Sequence, residues 1–476
     1  MESLALALEL GEQSQDFTIP YHKCLEERLF HSGSIWELTT AQQMDSLSEA
    51  DKEELVAVHI NGKVYVSIKK LGPSEIFLGR WVREKTLSRV KVDRIISNGL
   101  TEHQRNAVFL CCNSEISILT GGPGTGKTTT ARCIYETLCT SGLTVALCAF
   151  IGSAASRLGE TVGGESSTIH SLLECRAGTF NRNEDNPLDN LDAIIVDELS
   201  TTGSVLLMNL AKALPHGCRI ILIGDPEQMS SVDPGNVLKE LIRSEQVPHA
   251  HLSEVIRTEP DGPIGLASIA ILNGKLPQSA TKGENGYFFM PCNDDHIIER
   301  AFLYQERLAV RLGTDFSNVR TMTATNEICS QYNEYCLSRN IGLIPVVCRR
   351  NNKHYGVFNG DFGILNGNGY MFTKKWGDIE VPLSDFSCKI CSAFCCTVNV
   401  MQGNECVGGQ ILMPVRGSGF PNRSQFYTAV TRCKKFCVTV GSIKIIERAI
   451  RTKSNDNRLS LLGAFIKGQV TIVNDL

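Results

Sequence analysis

The sequence predicts an α/β architecture built on parallel sheets, and three observations carry that prediction. From about residue 105 to 240, short apolar strands alternate with helix-like segments, the strands being Ile116–Thr120, Val145–Ala149, Ala193–Val196 and Arg219–Ile223. That rhythm suits βαβ units and not a run of hairpins. A second apolar, alternating region runs from about 246 to 340 and resumes near 393. The first strand also enters its helix through a glycine-rich loop, the local form in which backbone N–H groups collect phosphate oxygens.

Composition sets the outer bounds. A chain of 476 residues with 42% hydrophobic and 21% charged residues is globular, which excludes a disordered or collagen-like design. At roughly 150 residues per domain, about three domains are expected. Lys+Arg number 47 against 51 Asp+Glu, a formal net charge of −4, so no global basic footprint announces a nucleic acid. The 19 cysteines accompany no basic n-region and no long apolar run. The expectation is therefore reduced thiols in a cytoplasmic or nuclear setting, with no secretion and no membrane span.

In chain order, residues 1–95 mix helix-like and strand-like patterns and read as an N-terminal accessory domain. Within them, His59-Ile60-Asn61-Gly62-Lys63-Val64-Tyr65-Val66 reads as a hairpin turning on Asn-Gly. Arg80, Arg83, Lys85, Arg89, Lys91 and Arg94 then face only Glu84 and Asp93, either as a solvated helix face or linker or as a nucleic-acid contact. Residues 96–245 form the first α/β domain, with an extra segment at about 174–190. Residues 246–341 and 393–476 form the second, split by a Gly-, Asn-, Val- and Phe-rich β insertion at 342–392.

Gly121-Gly122-Pro123-Gly124-Thr125-Gly126-Lys127-Thr128 fits the P-loop pattern in full, after a strand and before a helix. Lys127 is expected to reach the β/γ-phosphates of ATP and the Thr128 hydroxyl to ligate Mg²⁺, with Thr129 among the nucleotide contacts. The strand Ala193-Ile194-Ile195-Val196 ends in Asp197 and Glu198. Asp197 is the expected Mg²⁺ ligand, and Glu198 the group that orients or deprotonates the attacking water. The next strand ends in Ile223-Gly224-Asp225-Pro226-Glu227-Gln228, where Gln228 is placed to sense the γ-phosphate. Thr101 and Gln104 form a capping box, and Gln104 is also a candidate for the adenine edge.

Taken in order, these segments resemble the RecD-like branch of superfamily 1 helicases over at least residues 100–445. The resemblance is carried by the stretch from Gly224 through Gln228 to Pro234-Gly235-Asn236-Val237-Leu238, and by Tyr427-Thr428-Ala429-Val430-Thr431-Arg432. Thr168-Ile169-His170-Ser171-Leu172-Leu173 and Leu252-Ser253-Glu254-Val255-Ile256-Arg257 add to it. It implies two RecA-like domains with ATP between them, and an SH3-like module in the insertion, where Val357-Phe358-Asn359-Gly360-Asp361-Phe362-Gly363 matches. Arg257 and Arg432 would then neutralise charge on the transferring phosphoryl group. Gly403 and Glu405 would contact the nucleotide at its ribose. Phe150, Ser153, Thr168, His170 and Asn399 would face a single strand. For Phe150 a core role stays open, and for His170 a packed or capping one. Residues 174–190 fall where the family carries a duplex-splitting hairpin, with a simple surface loop as the other reading.

Two departures stand out. The family's GKAA reads Gly152-Ser153-Ala154-Ala155, losing a lysine, and its TVHKSQG reads Thr397-Val398-Asn399-Val400-Met401-Gln402-Gly403, losing His and Lys. Each lost cation removes an electrostatic phosphate contact. The expected activity is an ATP- and Mg²⁺-dependent helicase moving 5′→3′ on single-stranded DNA and unwinding duplex, with replication or recombination subunits as open partners. The alternatives are an RNA helicase of the same superfamily, or a nucleotide-gated nucleic-acid-binding subunit. Cys388, Cys391, Cys395 and Cys396 lack a second pair at zinc-ribbon spacing and are expected to be buried thiols.

Overall fold

The computed structural model describes residues 20–88, 90–254, 263–281, 283–339, 341–352, 354–367, 369–374, 377–385, 389–415, 422–452 and 458–473. Arg257, Arg89 and Cys388 lie outside the described residues.

The continuous aliphatic runs of the first α/β domain become strands covered on both faces, as parallel sheets require. Ile194, Ile195, Val196 and Ile220 through Ile223 are all buried. They lie in a six-stranded parallel sheet ordered His249–Leu252, Ile116–Gly121, Arg219–Gly224, Ala193–Asp197, Val145–Ala149, Ser166–Thr168. The boundary expected at 245 therefore moves, because His249–Leu252 pairs with Ile118–Gly121 of the phosphate-loop strand. A second parallel sheet of five strands is ordered Gly286–Pro291, Cys433–Gly441, Cys406–Met413, Arg320–Thr323, Cys395–Thr397. Between its elements, a five-stranded antiparallel sheet spans Ile344–Cys348 to Ile390–Ser392 around a small core that includes Val346, Val357, Phe372 and Val381.

The Asn61-Gly62 turn takes positive φ at both residues, 50° and 75°, and joins Leu55–Ile60 to Lys63–Ile68 as a hairpin. The sheet it belongs to draws its fourth strand from the far end of the chain, where Thr471–Val473 pairs antiparallel with Ala57–His59. Leu461 and Phe465 join the same core as Leu25, Leu29 and Trp36. The expected second-domain range 393–476 is thus too long at its end, because this apolar tail buries against the N-terminal domain. Nor is the 80–94 charge run wholly solvated. Lys85 is buried, its ammonium donating to the Cys218 carbonyl at 2.6 Å and lying 3.5 Å from Glu115, so it pins the Gly72–Leu87 helix to the first α/β domain.

Glu75 of that helix joins three parts of the molecule. Its fully buried carboxylate accepts from Trp36 Nε1 at 2.9 Å and the Leu461 N–H at 2.8 Å, and from the hydroxyls of Ser460 and Ser204. Burial pushes its pKa up to about 7 despite these donors, and Glu240 adds like-charge repulsion. The carboxyl is thus raised in the fold above the ordinary value of 4.5 that it has in the unfolded chain. Its contribution is complete below the unfolded value and is lost as pH rises through the folded one, a swing of roughly 3 kcal/mol. Glu75→Gln, whose amide can donate to the two serine oxygens, is expected to flatten that part of a urea-midpoint profile between pH 4.5 and 7. An unchanged slope in the variant would refute the assignment.

The described cysteines are all free thiols. Cys395 and Cys396 are buried, and burial pushes Cys396 up to about 12. Cys391 is exposed, contrary to expectation, because it lies on the edge strand Ile390–Ser392. Among the described residues, no group of three or more His, Cys, Asp and Glu could hold a metal ion, and no helix is long and apolar enough to cross a membrane.

Candidate active site

The phosphate loop forms because its residues leave little alternative. A Cβ at Gly121 would stand 2.5 Å from Thr125 Oγ1 and 2.8 Å from the Leu252 carbonyl, and Gly124 and Gly126 hold φ of 77° and 83°. The loop closes on itself through Thr125 Oγ1, which donates to the Gly122 carbonyl at 2.9 Å. It then feeds the helix Lys127–Thr140. Lys127 Nζ donates to the carbonyls of Gly121 and Gly122 at 2.7 and 3.0 Å, which keeps the ammonium on the loop. Pro123 and Thr128 are half-buried and Thr129 is exposed. Gln104 is buried, with Oε1 accepting from the Thr101 N–H at 3.1 Å and Nε2 donating to the Thr125 carbonyl at 3.4 Å. Its amide therefore ties the preceding helix to the phosphate loop.

Across the sheet, Asp197 is pushed up to about 6, first by burial and then by Glu198, while Arg157, the Glu198 N–H and Lys127 pull it back. Glu198 is buried and has φ 54°, a left-handed conformation that costs a non-glycine residue energy and recurs where a side chain must be aimed. Gln228 is also buried, its amide donating to Asp225 Oδ2 at 3.3 Å. These groups come from the carboxyl ends of three adjacent strands, where ligands of such sheets collect.

The second domain supplies the facing wall. The helix Arg423–Thr431 presents Tyr427, whose hydroxyl donates to Asp225 Oδ2 at 3.1 Å and lies 3.4 Å from where a Gly122 Cβ would sit. Thr428 Oγ1 accepts from the Met229 N–H at 3.1 Å. Arg432 caps the same helix and is buried, donating to the Thr428 and Asn404 carbonyls at 3.3 and 3.4 Å. Gly403, at φ 76°, lies against Ala154 of the first domain, where a Cβ would come within 3.0 Å of its side chain. Glu405 pairs with Lys434 at 2.9 Å and with Arg157 of the first domain at 3.6 Å.

The expected strand-facing residues divide. Ser153 is buried and accepts from Asn404 Nδ2 at 3.3 Å, so it belongs to the seam between domains and not to an open face. Thr168 is buried and caps a short helix through the Ser171 N–H. His170 lies between two rings, 5.8 Å from Phe150 and 5.9 Å from Phe180 by centroid, and burial lowers its pKa against the pull of Asp233. Phe150 and Phe180 are half-buried against the first domain's core. Asn399 is exposed. Of the 174–190 segment, only Cys175–Arg176 and Thr179–Phe180 pair as strands, turning on Ala177 and Gly178, both at positive φ. Arg182 ties the rest into a loop through Glu174 and Asp189. A cavity of about 660 Å³ opens beside Thr168, lined also by Gly152 and by Phe358 of the β insertion.

Sequence reasoning missed Arg157 and the Asp225–Tyr427 contact. Arg157 was findable as the residue one turn beyond Ser153 on the helix Gly152–Val162.

A family described as an AAA domain matches residues 99–287. The chain is 30% identical over 385 residues to the ATP-dependent RecD2 DNA helicase of Deinococcus radiodurans, covering 76% of this chain and 52% of that protein. It is 28% identical over 433 residues to the RecBCD enzyme subunit RecD of Mycobacterium tuberculosis, covering 78% of this chain and 75% of that subunit. The chain thus spans about half the length of the first of these relatives. The crystal structure of Bacteroides Pif1 bound to single-stranded DNA aligns with a TM-score of 0.48 at 17% identity, covering 74% of this chain and 94% of that one.

Proposed function

We propose that this chain, a homologue of the RecD-type helicases, is an ATP-dependent DNA helicase that moves 5′→3′ along a single strand and separates duplex. The observation that carries the reading is the meeting of two parallel-sheet domains at one phosphate loop, with Tyr427 against Gly122 and Asp225. A nucleotide bound there touches both domains, so its hydrolysis changes the contact between them, and repeated closure becomes movement along a strand.

The residues present fit a nucleotide and its metal: positive-φ glycines for the phosphate cradle, an ammonium on the loop, a hydroxyl and a carboxylate nearby. Thr128 and Asp197 would hold Mg²⁺, which when bound neutralises phosphate charge. Lys127 binds the β/γ-phosphates, Glu198 orients or deprotonates the attacking water, and Gln228 senses the γ-phosphate. Arg432, with Arg257, offsets charge in the transition state. Gln104 reads the adenine edge, and Gly403 and Glu405 approach the ribose. On the strand side, the Phe150–His170–Phe180 rings supply stacking surface and Asn399 a polar contact. RNA is the alternative strand. The RecD relatives named as RecBCD subunits support a place in a larger assembly, and the free thiols favour a reducing compartment, cytoplasmic or nuclear.

Strand displacement with 5′-tailed and 3′-tailed duplexes tests the reading. ATP-dependent release from 5′-tailed DNA alone is expected. Release from 3′-tailed duplex alone would overturn the polarity, and stimulation of ATP hydrolysis by RNA but not DNA would overturn the substrate. Hydrolysis without displacement would favour a nucleotide-gated binding subunit.

A further inference from the structure

We infer that Arg157 is a positioning residue that couples the first motor domain, through Glu405, to the Asn404–Arg432 contact of the second. The inference rests on the ATPase reading above and deepens it.

Arg157 sits on the helix Gly152–Val162, whose N-terminal turn packs directly on the loop from Gly403 to Glu405. Its Nη1 lies 3.6 Å from Glu405 Oε1, with side-chain exposures of 36% and 18% for the two residues. That is inside ion-pair range yet too long for a hydrogen bond. The same Nη1 is shut off from solvent and makes no hydrogen bond. A buried donor without a hydrogen bond is left desolvated, a standing drive to gain a partner when the seam tightens. The other Glu405 oxygen lies 2.9 Å from Lys434 Nζ, so one carboxylate is shared by a cation from each domain.

The loop that Glu405 anchors leads on to Arg432, since Asn404, next to Glu405, accepts from Arg432 Nη1 at 3.4 Å and donates to Ser153 Oγ at 3.3 Å. An isolated surface pair would contribute little. This one is set in a seam that holds a buried arginine.

The test is steady-state ATP hydrolysis by the full chain with and without a single-stranded DNA oligonucleotide, in wild type, Arg157→Ala, Arg157→Lys, Glu405→Ala and the Ala/Ala double variant. Coupling predicts that Arg157→Ala lowers strand-stimulated kcat about tenfold with a smaller change in KM for ATP, and that the double variant is no worse than the poorer single one. Arg157→Lys, which keeps the charge, is expected to recover much of the loss. Losses that multiply in the double variant, or equal losses in the Lys and Ala variants, would overturn the coupling while leaving the ATPase reading intact. A wild-type protein without hydrolysis overturns that reading, and this inference with it.

Discussion

Lys127→Ala is expected to lower strand-stimulated kcat/KM for ATP by on the order of 10²–10³-fold, since it removes the ammonium proposed to meet developing phosphate charge. The geometry makes the loss specific. Lys127 Nζ is held by two loop carbonyls at 2.7 and 3.0 Å, so the charge is pre-placed on the loop and needs no search when substrate arrives. The same substitution withdraws one of the charges that holds Asp197 down, so that carboxyl rises further and ionises less readily. Phosphate release measured against oligonucleotide concentration checks it. A variant that still hydrolyses ATP within about tenfold of wild type would remove the phosphate loop from the mechanism.

The second large effect is expected at Glu198. Glu198→Gln keeps the side chain's size and its left-handed backbone, at φ 54°, but removes the carboxylate proposed to accept a proton from water. Turnover is expected to fall by about 10²–10⁴-fold, the usual worth of a positioned general base. ATP affinity is expected to stay near wild type, because the proposed binding rests on the loop and Lys127. Nucleotide binding followed by fluorescence, set beside single-turnover hydrolysis, separates the two quantities. Weakened binding with unchanged turnover of the bound nucleotide would reassign Glu198 to ground-state contact.

The neighbouring Asp197 shows why both acids were visible in the chain while the surroundings that act on Asp197 were not. An aliphatic strand that ends in two carboxylates announces chemistry at its tip, and Asp197 and Glu198 were readable on that ground alone. Burial acts on Asp197 through its surroundings, however: it is raised by burial and by Glu198 while Arg157 and Lys127 oppose the rise. None of those neighbours is adjacent in sequence except Glu198. Likewise, Ser153 and Thr168 carried the polar side chains expected of strand contacts, and the fold spends one on Asn404 and the other on a helix cap.

What the sequence by itself determined is whatever depends on near neighbours. The strand cores from Ile116 to Ile223 were legible because a strand buried on both faces must be apolar throughout, and the phosphate loop because its glycines are dictated by local backbone geometry. The Asn61-Gly62 hairpin was legible for the same reason. Only the tertiary structure decided which distant segments meet. Thr471–Val473 closes the N-terminal sheet beside Ala57–His59, Lys85 turns from a solvated charge run onto Cys218, and Arg157 faces Glu405 across the two parallel-sheet domains. The physical reason is that long-range partners are selected by the apolar surface and charge left over once each local element has formed, a quantity no short window of sequence contains.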